Sequence, residues 1–415
     1  MKAYLTKPMV FIPIACVLLA TSVLFWGNDA IAELLTKDLF SNSKVIWEKE
    51  FDGKLQEVQV GGGNVVVWDR HHLKYLDSMG NVCWEKRFDE NSICKVSLSQ
   101  NGDAIIVNVT DWVSDRSKAH SYDRSGRLKW DVVVWNPGLT LSPKSNYAIT
   151  THRSIDEDKG YFRVFDNQTG KELWNDHAGR WFAAFLTDSE VVYLRSPVIP
   201  KGTERCELSL LELKGFTFKW TRDLQKEIDS VDPVWVGYGA DKLRTDDDGK
   251  LISLAVFNFN YKGKGHPQER ALLVFNRDGD FLWKRNDFAK LNSTLGGIDG
   301  FAFTADSEYL IVESFKGTFD LLDPLTGQRL WRAKQEDFRG RYIDHTFFFG
   351  ERCFLPVIKW VRGEDAKELI LIFDEKTGEQ IGSPVETVTS MISMGDKYLI
   401  IMNEDKNRIQ KVQID

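Results

Sequence analysis

From residue 45 to the end of the chain, short runs of alternating apolar and polar residues follow one another, separated by clusters rich in Gly, Asn and Asp. Alternation of period two, enriched in Val, Phe, Tyr and Trp, predicts half-buried strands, and amphipathic helical stretches are scarce beyond the N-terminal segment. Within this pattern one phrase recurs: an apolar pair, a polar or acidic residue, a turn closing on Gly, then a tryptophan. It reads Leu76-Asp77-Ser-Met-Gly80-Asn-Val-Cys-Trp84, Tyr122-Asp123-Arg-Ser-Gly126-Arg-Leu-Lys-Trp130 and Phe165-Asp166-Asn-Gln-Thr-Gly170-Lys-Glu-Leu-Trp174. It continues as Leu213-Lys214-Gly215-Phe-Thr-Phe-Lys-Trp220, Phe275-Asn276-Arg-Asp-Gly279-Asp-Phe-Leu-Trp283 and Leu322-Asp323-Pro-Leu-Thr-Gly327-Gln-Arg-Leu-Trp331. A further relative, Phe373-Asp374-Glu-Lys-Thr-Gly378-Glu-Gln-Ile-Gly382, keeps the turn and lacks the tryptophan.

Asp or Asn followed closely by Gly supplies the side-chain cap and the positive φ of a tight hairpin. The tryptophan then falls on the outermost strand of a unit, where a large ring fills the wedge between diverging sheets. Two more strand signals separate each tryptophan from the next turn, so each period makes four antiparallel strands, the signature of a β-propeller. Inner-strand groups begin near Glu57, Ile93, Leu139, Phe182, Val234, Phe301, Thr346 and Val388, which gives eight blades of about 46 residues each. The last group ends after its third strand, and the chain opens with a spare tryptophan strand at Val45-Ile46-Trp47. Pairing the two ends in one blade closes the ring and removes the open edge. The expected fold is therefore all-β, an eight-bladed propeller over residues 45–415, with Trp47, Trp84, Trp130, Trp174, Trp220, Trp283 and Trp331 packing between blades.

These phrases resemble the pyrroloquinoline-quinone-like (PQQ-like) propeller repeats, whose outer-strand tryptophan and Asp-x-x-Gly turn they match over nearly all of the chain after Lys44. The resemblance implies the propeller fold, and a role as a quinone dehydrogenase, as a scaffold for assembly of outer-membrane barrels, or as another exported protein. Many of the dehydrogenases place neighbouring cysteines at the cofactor. Cys16, Cys83, Cys94, Cys206 and Cys353 include no such pair, so no cofactor is expected. They form no CxxC unit either and have no His at metal-ligand spacing, and they read as buried small hydrophobes.

The first residues differ from the rest. No charge interrupts the chain from Pro8 to Trp26, and Lys2 and Lys7 precede this apolar run. Residues 1–32 are expected to form an apolar helix, either a signal peptide cut after Ala30-Ile31-Ala32 or a transmembrane anchor, with 33–44 as a linker. The lysines place the N-terminus in the cytoplasm, so the propeller is expected outside it, periplasmic, secreted or membrane-held.

Charge and single motifs narrow the function further. The net charge of -7, with both signs interspersed through 28% charged residues, leaves no basic stripe for nucleic acid. Arg244-Thr-Asp246-Asp247-Asp248-Gly249 lacks the leading acid of a calcium loop and reads as a solvated turn. His71-His72 reads as a hairpin tip, and Gly61-Gly62-Gly63 as a turn, because a strand rather than a helix follows it. Asn108, Asn167 and Asn292 open Asn-x-Ser/Thr matches of no predicted role. No catalytic, cofactor-binding or metal-ligating residue is assigned.

Loop length carries the functional expectation. The Asp-x-x-Gly turns stay short and share one face, whereas the second-to-third-strand loops open on the other, long and charged at 111–119, 152–160, 195–204, 261–270 and 361–367. Function tends to sit on loops carried by a rigid scaffold, and aromatic residues beside Arg are typical of binding hot spots. Trp112, Arg153, Arg180, Trp181, Lys262 and Arg362 are the candidate contacts for a protein partner. The alternative is a small ligand, or a quinone-dependent reaction, at the central channel. That reading needs convergent polar groups, yet segments such as Leu139-Thr-Leu-Ser and Phe301-Ala-Phe-Thr offer few.

Overall fold

The computed structural model describes residues 44–413 apart from 89–91, 111–115, 136–138, 154–159, 177–179, 197–205, 228–233, 236–242, 259–268, 288–297, 305–306, 315–316, 336–337, 341–345, 350, 360–366, 386–387, 394–397 and 404. The expectations for residues 1–32, Cys16 and Asn292 lie outside the described residues. Among the described residues no helix is long and apolar enough to cross a membrane.

The strands form eight antiparallel sheets; seven take strands that follow one another in the chain, and the eighth joins the first strand to the last three. Blade 1 holds Glu57–Gly61, Asn64–Trp68, His72–Leu76 and Val82–Arg87, from the inner strand outward. Blade 2 runs from Ser92–Leu98 to Leu128–Trp135, blade 3 from Thr140–Leu141 to Glu172–Asp176 and blade 4 from Arg180–Thr187 to Thr217–Asp223. One helical turn, Leu224–Glu227, follows blade 4. Blade 6 runs from Ile298–Phe303 to Arg329–Lys334.

Blades 5, 7 and 8 depart from the simple meander. In blade 5 the inner position is shared by Val234–Trp235 and Leu243–Thr245, which pair with opposite ends of Leu251–Asn258. In blade 7 it is shared by Phe338–Gly340 and Phe347–Phe349 along Arg352–Lys359. The fourth strand of blade 7 is reduced to the bridges Phe373↔Gln380 and Ile370↔Val385. Blade 8 is assembled from both ends of the described chain. Lys44–Glu50 lies antiparallel to Arg408–Gln413 from Lys44↔Gln413 to Glu50↔Arg408, the closure that the spare first strand predicts.

Eight apolar clusters, one at each junction between neighbouring blades, make up the core among the described residues. Val66, Tyr75, Ile105 and Val107 join blades 1 and 2, for example, and Val58, Val65, Ile400 and Ile409 join blade 1 to blade 8. The second strand of blade 2, Ala104–Thr110, is buried on both faces, because its blade is sandwiched between two others.

Two sequence expectations need correction. Cys206 and Cys353 are buried as expected, but Cys83 and Cys94 are exposed. Cys94 sits at a bulge in its strand, which turns its side chain out of the sheet's alternation. Asp246 is buried rather than solvated, and its carboxylate accepts the backbone N–H groups of Lys250 and Leu251 at 2.8 Å each, capping the hairpin of blade 5. Asn108 and Asn167 are also fully buried. Asn108 spans two blades, accepting from the Leu139 N–H at 2.8 Å and donating to its carbonyl at 3.1 Å.

Candidate functional site

The repeated tryptophan and the repeated glycine meet across the junction between blades. Gly80, Gly126, Gly170, Gly279, Gly327 and Gly378 all have positive φ, and a methyl group added to any of them would lie 2.6–2.7 Å from an indole atom of Trp47, Trp84, Trp130, Trp220, Trp283 or Trp331 respectively. Each ring belongs to the preceding blade. Its Nε1–H then donates to a carbonyl of the same turn: Trp47 to Ser78 at 3.0 Å, Trp130 to Asn167 at 2.7 Å, Trp283 to Pro324 at 2.8 Å and Trp331 to Glu375 at 2.9 Å. The ring therefore lies beneath the next turn, where only glycine leaves room for it.

Trp174 is the exception. The turn of blade 4 carries no Asp, and Gly215 has open space around it. Trp174 stacks instead on Phe216, with centroids 6.3 Å apart and planes 2° from parallel.

These turns occupy one face of the ring. On the opposite face lie the second-to-third-strand intervals and the links between blades. The strands extend further toward that face than the sequence predicts. Arg116–Asp123 and Glu269–Asn276 absorb residues expected in loops, because backbone pairing with the neighbouring strand continues through them. Arg153 ends the strand Tyr147–Arg153, and Arg180 and Trp181 open the strand Arg180–Thr187, so these three lie in strands rather than loops. All three are at strand ends on the loop-bearing face. Their side chains are outside the described residues, as are Trp112, Lys262 and Arg362 altogether.

The channel-lining strands carry more charge than their sequences suggest. Lys95 donates from Nζ to Thr140 Oγ1 at 2.8 Å, linking the inner strands of blades 2 and 3. Burial pushes the Lys95 ammonium below the usual lysine range, and Arg244 adds to the effect while Cys94 and Glu57 oppose it. No sequence signal marks Lys95, because its place at the bulge after Cys94 hides its direction. Among the described residues no group of three or more His, Cys, Asp or Glu could hold a metal ion.

A cavity of about 210 Å³ opens where blade 8 meets blade 1, under the link from Glu50 to Glu57. Phe51, Leu55, Val67 and Trp68 form its apolar walls, and Asp52, Asp69, His72, Lys74 and Glu85 bring charge to it. Asp69 caps the turn that follows Trp68, accepting the N–H groups of His71 and His72 at 2.7 Å each, and its Oδ2 lies 3.0 Å from His72 Nδ1. Burial raises the Asp69 pKa, but these bonds outweigh it and hold the carboxyl below the usual range. The His71-His72 pair is thus a hairpin tip, as its sequence suggests.

Residues 38–194 match the PQQ-like repeat model described as outer membrane protein assembly factor BamB. The chain is a β-propeller whose residues 38–194 are similar to that repeat family. Solved structures similar to this propeller include BamB from Moraxella catarrhalis, at 16% identity over 89% of this chain and 99% of that one, with a TM-score of 0.54. Sqt1 from Saccharomyces cerevisiae is similar at 12% identity over 89% and 98%, with a TM-score of 0.56. The computationally designed Ika8 protein is similar at 12% identity over 88% and 98%, with a TM-score of 0.53. At such identities these likenesses concern the fold alone. No curated protein matches the chain in sequence.

Proposed function

We propose that this propeller is a non-catalytic interaction scaffold, working outside the cytoplasm and exported or held at a membrane by its N-terminal apolar segment, and that it grips a protein partner with its loop-bearing face. The observation that carries this reading is the one-sidedness of the ring. Every Asp-x-x-Gly turn is committed to receiving a tryptophan or to its own hairpin, while the opposite face bears the longer, charged intervals. A rigid ring with variable loops on one side is a common basis for recognition. The match of residues 38–194 to an assembly-factor model agrees with a scaffold role. At the channel the Lys95 ammonium is engaged by Thr140, which favours a structural role for it over a reactive one.

The test is capture of a partner from a membrane extract by the whole chain and its variants. Alanine or charge-reversal at Trp112, Arg153, Arg180, Trp181, Lys262 and Arg362 is expected to abolish capture, since one true hot spot is worth about 2 kcal/mol or more. Lys171 and Gln328, in the short turns, and the exposed Arg127 serve as controls. Asp123 is unsuitable as a control, because it accepts the N–H groups of Ser125 and Arg127 and caps its turn. Loss of capture from the control set, with the first set unaffected, refutes the assignment of the face.

A further inference from the structure

The cavity between blades 8 and 1 lies on the loop-bearing face, because Asp69 begins the second-to-third-strand turn of blade 1 and Asp52 belongs to the link between the two blades. Its size is informative. Sites for small molecules start at about 300 Å³, so a cavity of about 210 Å³ suits a single side chain.

Its charges are unevenly satisfied. Lys74 is held by Glu85, Nζ to Oε2 at 3.6 Å, and sits over the Phe51 ring at 5.5 Å from its centroid. His72 is tied to Asp69. Asp52 is exposed, with no hydrogen bond or ion pair among the described residues. Among the described residues Asp69 Oδ2 bonds His72 alone, and it faces Gly53, where an added methyl group would stand 3.7 Å away. Two carboxylates thus meet at the mouth of a cavity whose deeper walls are Phe51, Leu55, Val67 and Trp68. Apolar depth behind anionic oxygens matches a long basic side chain, whose methylenes pack on the walls while its head stays at the carboxylates. A planar guanidinium suits paired carboxylate oxygens and an aromatic wall better than a compact ammonium does.

We propose that this cavity is a socket for one arginine side chain of the protein partner. The inference rests on the reading of the loop-bearing face as the docking surface, and the two are separable by experiment. The probe is N-acetyl-arginine methylamide, compared with its neutral isostere N-acetyl-citrulline methylamide by saturation-transfer NMR on the whole chain.

The arginine compound is expected to bind at least about tenfold more tightly than the citrulline compound. Asp52→Asn is expected to erase that preference, and Gly53→Leu to block the mouth against both compounds without removing any charge. Neither variant touches Asp69, whose carboxylate caps its own turn. Equal binding of the two compounds, or arginine binding unchanged in both Asp52→Asn and Gly53→Leu, overturns the socket. Partner capture separates the two ideas. If the loop substitutions abolish capture while Gly53→Leu and Asp52→Asn leave it intact, the face stands and the socket falls. If Gly53→Leu abolishes both probe binding and capture, the socket is upheld.

Discussion

Gly378 and Gly382 lie four residues apart in blade 7, both at a φ of 68°. A methyl group on Gly378 would sit 2.6 Å from Trp331 Cδ2, whereas one on Gly382 would meet nothing within 4 Å. The two alanine variants therefore isolate the tryptophan contact from the backbone cost. Placing an L-residue in the left-handed region costs about 1–2 kcal/mol, partly offset in both variants by the lower entropy of the unfolded chain. At Gly378 the indole must also move, and overpacking of this kind adds about 1–3 kcal/mol. Gly382→Ala should thus lose about 1–2 kcal/mol, and Gly378→Ala about 2–5 kcal/mol, with Gly170→Ala and Gly327→Ala resembling the latter. Equilibrium urea unfolding followed by far-UV circular dichroism measures the difference. If Gly378→Ala and Gly382→Ala lose the same stability to within about 0.5 kcal/mol, the ring beneath the turn is not what demands glycine.

Trp130→Ala and Trp331→Ala should each cost about 3–5 kcal/mol, since each empties a buried site and removes the bond to the next turn. Trp174→Ala should cost less, because its ring is only partly buried and stacks on Phe216 without a glycine above it; equal losses in the three melts would contradict this distinction. Asp287 bonds Arg285 at 2.6 and 2.9 Å and Arg329 at 2.9 Å, and its pKa is lowered to about 2 chiefly by Arg285. A depressed carboxylate stabilises the fold above its unfolded pKa and loses that contribution as pH falls through the folded one. Wild type should therefore exceed Asp287→Asn in stability at pH 6, and the gap should close toward pH 2; a gap independent of pH in paired melts would refute the linkage.

What sequence revealed and what it hid divide along one physical line. A hairpin turn is encoded by adjacent residues, so Asp123 and Gly126 or Asp374 and Gly378 announce their turns without help from the rest of the chain. Counting those turns and the strands between them gives the eight blades, and the unpaired tryptophan strand gives the closure of Lys44–Glu50 on Arg408–Gln413. Contacts between blades are another matter. The burial of Asn108 against Leu139, the bond from Lys95 to Thr140 and the cavity beside Asp69 all join residues that local pattern treats as unrelated. Strand bounds are hidden in the same way: Arg153, Arg180 and Trp181 sit at strand ends, paired with partners that periodicity alone does not identify.

The missing tryptophan of blade 7 shows how the two levels connect. In sequence it is a defect in the repeat, with Gly382 where Trp331 stands one blade earlier. In the structure each latched tryptophan serves the turn between the third and fourth strands of the following blade, and blade 8 has no such turn. Its third strand is Arg408–Gln413 and its fourth is Lys44–Glu50, so no hairpin joins them and no glycine waits for a ring. A Cβ at position 382 meets nothing within 4 Å among the described residues. The junction is secured by other means: Phe354, Ile370, Ile372, Leu399 and Val412 pack between blades 7 and 8, and Lys406 Nζ bonds Glu368 at 2.8 Å. The irregular repeat is therefore a consequence of where the ring is closed, since shifting the closure to another blade would move the dispensable tryptophan with it.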